Sequence, residues 1–152
     1  MLYLAADHRG FGLKESLKRY LTKEGIPFED YGPKELNPTD DYVDYGLPVA
    51  KKVAERASED QGILICGSGV GMDIVANKVP HVRAALVRSV HQAKAARNDD
   101  DANVLVLDAD ETSHELSLDI VRTWLATPFS GKERHQRRLE KIADFEVSLG
   151  QH

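Results

Sequence analysis

The residue types with the clearest chemical potential lie together in one stretch. Cys66, the only cysteine, ends an apolar run over residues 62–65 and is followed by Gly67-Ser68-Gly69-Val70-Gly71. Asn77 and Lys78 come next, on a pattern of helical spacing. A lone cysteine often serves as a small buried hydrophobe. Placed beside the N–H groups of a glycine-rich turn and a helix N-terminus, a thiol has its pKa lowered and acts as base or nucleophile. The same N–H groups form a cradle for a developing oxyanion. The spacing is G-x-G-x-G rather than the dinucleotide pattern G-x-G-x-x-G, and a tight turn without a ligand is the plain alternative.

Further candidates stand elsewhere in the chain. Asp7-His8 closes the first apolar run, either as a helix cap with a solvent-facing histidine or as a partner for Cys66. Arg134 and Arg138 are four residues apart and share a helix face, which makes a fork suited to phosphate. An ordinary solvated face is the competing reading. Tyr42 and Tyr45 are packing or binding residues. His81, His91 and His114 are scattered, and no H-x-x-x-H or C-x-x-C pair is present, so no zinc site is expected.

The elements that must carry these residues follow from periodicity. Strands are expected at residues 1–6, 26–31, 62–65, 82–87 and 103–107. Leu13, Leu17, Tyr20 and Leu21 mark a helix stopping at Gly25, and residues 32–41 form a loop. Val43 to Ala57 carries a second helical pattern, residues 70–78 a third, and Ala93 with Ala96 a fourth. Thr112-Ser113-His114-Glu115 reads as a capping box opening a helix whose buried stripe is Leu116, Ile120 and Trp124. A charged helix runs from residue 132 to about 149, with Leu139, Ile142, Glu146 and Leu149 on one face. The alternation of strand and helix predicts an α/β fold: a five-stranded parallel sheet between helices, in a single domain over residues 1–152. Ligands of such sheets collect at the carboxyl ends of the strands. Asp99 to Asp101 precede the fifth strand, so they reach such a site only from the preceding helix end or from another subunit.

Composition sets the outer bounds. The chain has 152 residues, 41% hydrophobic and 30% charged, with a net charge of −5. That balance argues against a general nucleic-acid binder. A single cysteine fits a reducing compartment, the first residues become charged too early for a signal peptide, and no apolar run approaches bilayer length. A cytoplasmic protein with no membrane partner is expected.

In this order, Asp7-His8, the run from Gly62 through Cys66 to Gly71, Ala76-Asn77-Lys78, Val82-Arg83-Ala84-Ala85, Asp101-Ala102-Asn103-Val104-Leu105 and Arg134-His135-Gln136-Arg137-Arg138 resemble the ribose 5-phosphate isomerase B family, which includes the galactose 6-phosphate isomerase subunits. The resemblance covers residues 1 to about 143. It implies a Rossmann-like α/β/α sandwich acting as a homodimer, with active sites built from both subunits, a C-terminal helix reaching the partner, and a tetramer left open. It implies interconversion of phosphorylated aldoses and ketoses through an enediolate, without metal or cofactor. Carried over, Cys66 would move the proton between C1 and C2, with Ser68 near the substrate oxygens. The backbone of Gly67, Gly69, Val70 and Gly71 would hold the enediolate. Asp7 would bind substrate hydroxyls, Tyr42 or Tyr45 would line the sugar, and His8, Arg134 and Arg138 would hold the phosphate.

One register departs from the family. Where its ribose 5-phosphate members read Arg-x-His-Asn-Asp-x-Asn, this chain reads Arg97-Asn98-Asp99-Asp100-Asp101-Ala102-Asn103. Asp99 stands in place of the histidine associated with opening the cyclic sugar, and Asp100 in place of an asparagine near the substrate. Ribose 5-phosphate, with the ring opened by Asp99 or without help from the protein, is one reading. A different phosphosugar, such as a tetrulose 4-phosphate, allose 6-phosphate or galactose 6-phosphate, is another. A non-catalytic sugar-phosphate-binding paralogue is the third, and a thiol at the head of the glycine turn weighs against it.

Overall fold

Apolar runs without polar alternation become the central strands. In the computed structural model, which describes residues 1–150, β1 (Leu2–Ala6) and β5 (Val104–Asp108) are buried throughout, as is all of β3 (Gln61–Cys66) beyond its first residue. Such strands belong inside a parallel sheet covered on both faces. The strands β2 (Phe28–Asp30) and β4 (Ala84–Leu86) are short and form the edges. The sheet order is β2-β1-β3-β5-β4, and every pairing is parallel. Residues 151–152, included in the single-domain reading, lie outside the described residues.

Six helices connect and follow the strands: α1 (Phe11–Lys23), α2 (Tyr42–Glu55), α3 (Val70–Ala76), α4 (Val90–Asp100), α5 (His114–Ala126) and α6 (Glu133–Ser148). Successive strand residues point to opposite faces, which divides the core in two. On one face Leu4, Ala6, Ile63, Ile65, Leu105 and Leu107 meet Leu13, Leu17, Leu21, Ala93, Ile120 and Trp124 of α1, α4 and α5. On the other, Ala5, Leu64, Cys66 and Val106 meet Val49, Val53, Met72 and Ala76 of α2 and α3. Each large side chain so buried contributes about 1.5–3 kcal/mol relative to exposure.

Two local expectations are corrected. The cap of α5 is Ser113, whose Oγ accepts the Leu116 N–H at 3.1 Å. Thr112 is buried below it, with its N–H on the Asp108 carbonyl. That shift of one residue moves Leu116 out of the stripe into solvent, and Ser117, Ile120, Val121 and Trp124 form the buried face. The fourth strand begins at Ala84 rather than 82 because Asn103 occupies the approach: its Oδ1 accepts the Arg83 N–H, and its Nδ2 donates to the His81 carbonyl.

The last helix departs from the layers. Only His135 of α6 is buried, while Ile142, Phe145, Val147 and the following Leu149 are exposed. A groove of about 550 Å³ opens between its apolar face (Leu139, Ile142, Phe145, Leu149) and the β4 edge.

Candidate functional site

The sheet places one crevice at the expected point. After β1 the chain moves to one side of the sheet, and after β3 it moves to the other. Adjacent strands whose connections diverge leave an opening at their carboxyl ends. Ala6 pairs with Ile65, and the Asp7 N–H donates to the Ile65 carbonyl at 3.1 Å, so Asp7-His8 and Cys66 lie side by side.

Backbone N–H groups of Gly69, Gly71 and Met72 donate to Cys66. Burial pushes the thiol up and these three amides pull it down, with the Asp7 carboxylate adding to the upward side. The net direction is upward. The expected lowering is therefore corrected: the amides are present, but the sulfur is buried and the Asp7 carboxylate acts on it as an anion. A short helix of seven residues offers a weaker dipole than the turn alone suggests.

The turn has a polarity fixed by the loop after β5. The Cys66 carbonyl accepts the Ala109 N–H at 3.1 Å, and the Gly67 carbonyl accepts the Asp110 N–H at 3.0 Å. The Ser68 carbonyl accepts Arg88 Nη2 at 3.3 Å. All three carbonyls are thus tied back to neighbouring loops. The Ser68 hydroxyl is exposed and accepts the Val70 N–H at 3.3 Å, and Val70 is itself exposed. Close approach constrains two of the glycines: a Cβ at Gly69 would strike Leu86 and one at Gly71 would lie 2.6 Å from the Tyr42 ring, whereas one at Gly67 meets only the movable Arg9 guanidinium. Gly69 also has φ +78°, a left-handed conformation that favours glycine.

Asp7 is buried, and its Oδ1 accepts the N–H groups of Arg9 and Gly10 at 3.0 and 3.1 Å. The capping reading is corrected: the cap of α1 is Gly10, with no side-chain capping bond, and Asp7 instead closes the turn ahead of the helix. His8 Nδ1 lies 2.7 Å from Asp40 Oδ1, which also accepts the His8 backbone N–H at 3.0 Å. Tyr45 faces the same carboxylate: burial and then the Asp40 and Asp44 charges push its phenol up. Tyr42 covers Gly71 from the start of α2. The loop carrying Asp40 is anchored by Lys14, a fully buried ammonium that donates to the Pro33 carbonyl at 2.8 Å and to both oxygens of Asp30.

Several residues at this rim were not singled out from the sequence. Asp40 is one. Arg9 lies across Gly67 and pairs with Asp110. Arg88 pairs with buried Asp108, whose other oxygen accepts the N–H groups of Asp110 and Glu111. The available signal was positional: Asp108 and Asp110 close the fifth strand, at the sheet end where ligands gather.

The remaining candidates are elsewhere. Helix α4 runs back along the sheet, so Asp99 and Asp100 lie near the amino end of β5. Cys66 pairs with Asp108 at the other end, and β5 alone spans about 13 Å. Asp99 accepts Asn98 Nδ2 at 2.7 Å and lies 3.8 Å from His135 Nε2. The Asn98 hydrogen bond, outweighing partial desolvation and aided by His135, Arg134 and Lys132, holds its carboxyl below the usual range. Asp100 is exposed. Arg134 and Arg138 are exposed and make no ion pair among the described residues. One chain therefore brings together Asp7, His8, Tyr42, Tyr45 and residues 66–71. It holds Asp99, Asp100, Arg134 and Arg138 apart from them. Among the described residues no three His, Cys, Asp or Glu side chains group as a metal site would require, and no helix is long and apolar enough to cross a membrane.

Residues 2–142 match the family model described as Ribose/Galactose Isomerase. The chain is 41% identical over 145 residues to the probable ribose-5-phosphate isomerase B of Mycoplasma genitalium, covering 95% of each chain. It is 39% identical over 140 residues to ribose-5-phosphate isomerase B of Escherichia coli, covering 92% of each. The crystal structure of the Mycoplasma genitalium ribose-5-phosphate isomerase B with bound ribulose-5-phosphate superposes with a TM-score of 0.93, covering 96% of this chain and 95% of that one. The α/β fold is that of these structures, and the chain belongs to the ribose/galactose isomerase family.

Proposed function

We propose that the chain is a single-domain, cytoplasmic aldose–ketose isomerase that converts ribose 5-phosphate to ribulose 5-phosphate without a metal or cofactor. The observation that carries this reading is the buried Cys66 thiol, met by three backbone amides in the crevice beside Asp7. Isomerisation moves a proton between C2 and C1, next to a carbonyl, and charge builds on oxygen as the proton leaves. The Cys66 thiolate removes the C2 proton and returns it to C1, while the O2 hydroxyl proton passes to O1 within the enediolate. When the sulfur becomes neutral, its amide donors lose the charge they served, and the enediolate oxygens are where the charge has gone. The turn of Gly67, Gly69, Val70 and Gly71 then stabilises oxygen in place of sulfur. Ser68 and Asp7 hold substrate oxygens, and Tyr42 and Tyr45 flank the sugar.

Phosphate recognition comes from a second copy in a homodimer. Arg134 and Arg138 have no partner in their own chain among the described residues, and with Asp99 and Asp100 they lie at the wrong end of the sheet for their own Cys66. The exposed apolar face of α6 supports this reading, since such a face is covered in assemblies. Two guanidiniums on one face then hold the phosphate and position the reacting carbons.

The test is Cys66→Ala assayed on ribose 5-phosphate, erythrulose 4-phosphate and allose 6-phosphate. A loss of about 10²–10⁴-fold on the sugar that the wild type turns over, with unchanged circular dichroism and thermal midpoint, is expected for a general base. Retained turnover in the variant contradicts the mechanism. Wild-type binding without turnover on every sugar favours a sugar-phosphate-binding paralogue instead.

A further inference from the structure

Asp40 and His8 form a dyad that the proton transfer at Cys66 does not use. The Asp40 side chain is 4% exposed and the His8 side chain 31% exposed. One carboxylate oxygen takes both the His8 backbone N–H and Nδ1, at 3.0 and 2.7 Å, which fixes the ring in one orientation. The other oxygen, Oδ2, is buried, and the Tyr45 phenol faces the same carboxylate. An imidazole whose Nδ1 is held by a buried carboxylate leaves Nε2 to exchange protons, and the carboxylate stabilises the imidazolium while it exists. His8 follows Asp7 at the carboxyl end of β1, where the Asp7 N–H donates to Ile65, the residue before Cys66.

A pentose phosphate is mostly a cyclic hemiacetal, and proton transfer between C1 and C2 requires the open chain. Resting on the functional reading above, we infer that His8 is the acid–base group that opens the sugar ring and that Asp40 is its positioning residue. Nε2 takes the proton from the C1 hydroxyl. The O–H electron pair becomes the second bond of the C1 carbonyl as the bond from C1 to the ring oxygen breaks. The imidazolium then delivers the same proton to the ring oxygen. Both oxygens are attached to C1, so one nitrogen serves both, and no proton is gained or lost. Asp99 is less suited to this task. It is engaged by Asn98 and near His135, and a carboxyl held below its usual range is a poor proton donor.

The experiment separates ring opening from isomerisation. In Cys66→Ala, ribose 5-phosphate remains aldose, and the exchange rate between its two anomers is read by NMR while ³¹P shifts report binding. The single variant is expected to accelerate anomer exchange at least tenfold over buffer. Adding His8→Gln is expected to remove that acceleration with ³¹P binding retained, and adding Asp40→Asn to reduce it severalfold. Acceleration surviving in Cys66→Ala/His8→Gln overturns the assignment. So does a bound sugar that Cys66→Ala does not open, loss of binding together with acceleration in the His8 variant, or an acceleration abolished by Asp99→Asn but not by His8→Gln. Ketose signals appearing in Cys66→Ala count against the function proposed above, and are distinguished from these outcomes by their own resonances.

Discussion

At Cys66 two electrostatic effects oppose each other. Burial and the Asp7 carboxylate favour the neutral thiol, while the Gly69, Gly71 and Met72 amides favour the thiolate, and burial prevails. An acid group with a raised pKa reaches its anionic form only as pH rises. Alkylation of Cys66 by iodoacetamide should therefore accelerate toward alkaline pH. Asp7→Asn keeps an oxygen for the Arg9 and Gly10 amides but removes the charge. The midpoint of the alkylation profile is expected to fall in this variant. An unchanged or higher midpoint would show that Asp7 does not face the thiol electrostatically. The thiol and its glycine turn were legible from local sequence. The direction of the shift was not, because burial depends on how α2 and α3 close over β3. Asp40 and Arg88 were missed for a related reason: their partners are 32 and 20 residues away in sequence.

At the scale of elements, the loop over the crevice depends on one buried cation. Lys14 of α1 reaches across to Asp30 of β2 and to the Pro33 carbonyl, which places the start of the segment that bears Asp40. Burial works against the Asp30 charge, but hydrogen bonds from Lys14 and Lys18 outweigh it and hold the carboxyl below its ordinary value. A depressed carboxyl pKa stabilises the fold above the unfolded-state pKa and loses that contribution as pH falls through the folded-state pKa. Replacing Asp30 by Ala leaves Lys14 buried without its main partner, and about 3–5 kcal/mol of stability is expected to be lost. Chemical denaturation at neutral pH measures this. A loss under about 1 kcal/mol would mean that Lys14 finds water or another anion. The same elements show what patterning reveals. The continuous apolar runs of β1, β3 and β5 identified the central strands, because both faces of each are covered. The edges were less legible: β4 is shortened by the Asn103 side chain, and the α5 cap falls on Ser113 because Thr112 is drawn into the core.

The whole molecule separates two groups of residues along one sheet. Cys66, Asp7 and His8 lie at the carboxyl end, and Asp99 lies with Arg134 near the amino end. Helix α6 carries the arginines on an element with little burial of its own and an exposed apolar face. The parallel α/β class was readable from the alternation of strand and helix. The order β2-β1-β3-β5-β4, which decides which residues share an end, depends on long-range pairing that local patterns do not encode. The proposed sharing of sites between two copies would account for the separation, and subunit mixing tests this most directly. Cys66→Ala and Arg134→Ala/Arg138→Ala are expected to be inactive alone on ribose 5-phosphate. After the two are unfolded, mixed in equal amounts and refolded, half of the dimers should be hybrids with one intact site each. Activity should then return to about one quarter of wild type. Hybrid dimers that form, as shown by native mass spectrometry, yet remain inactive would contradict a site built from Cys66 of one copy and the arginines of the other.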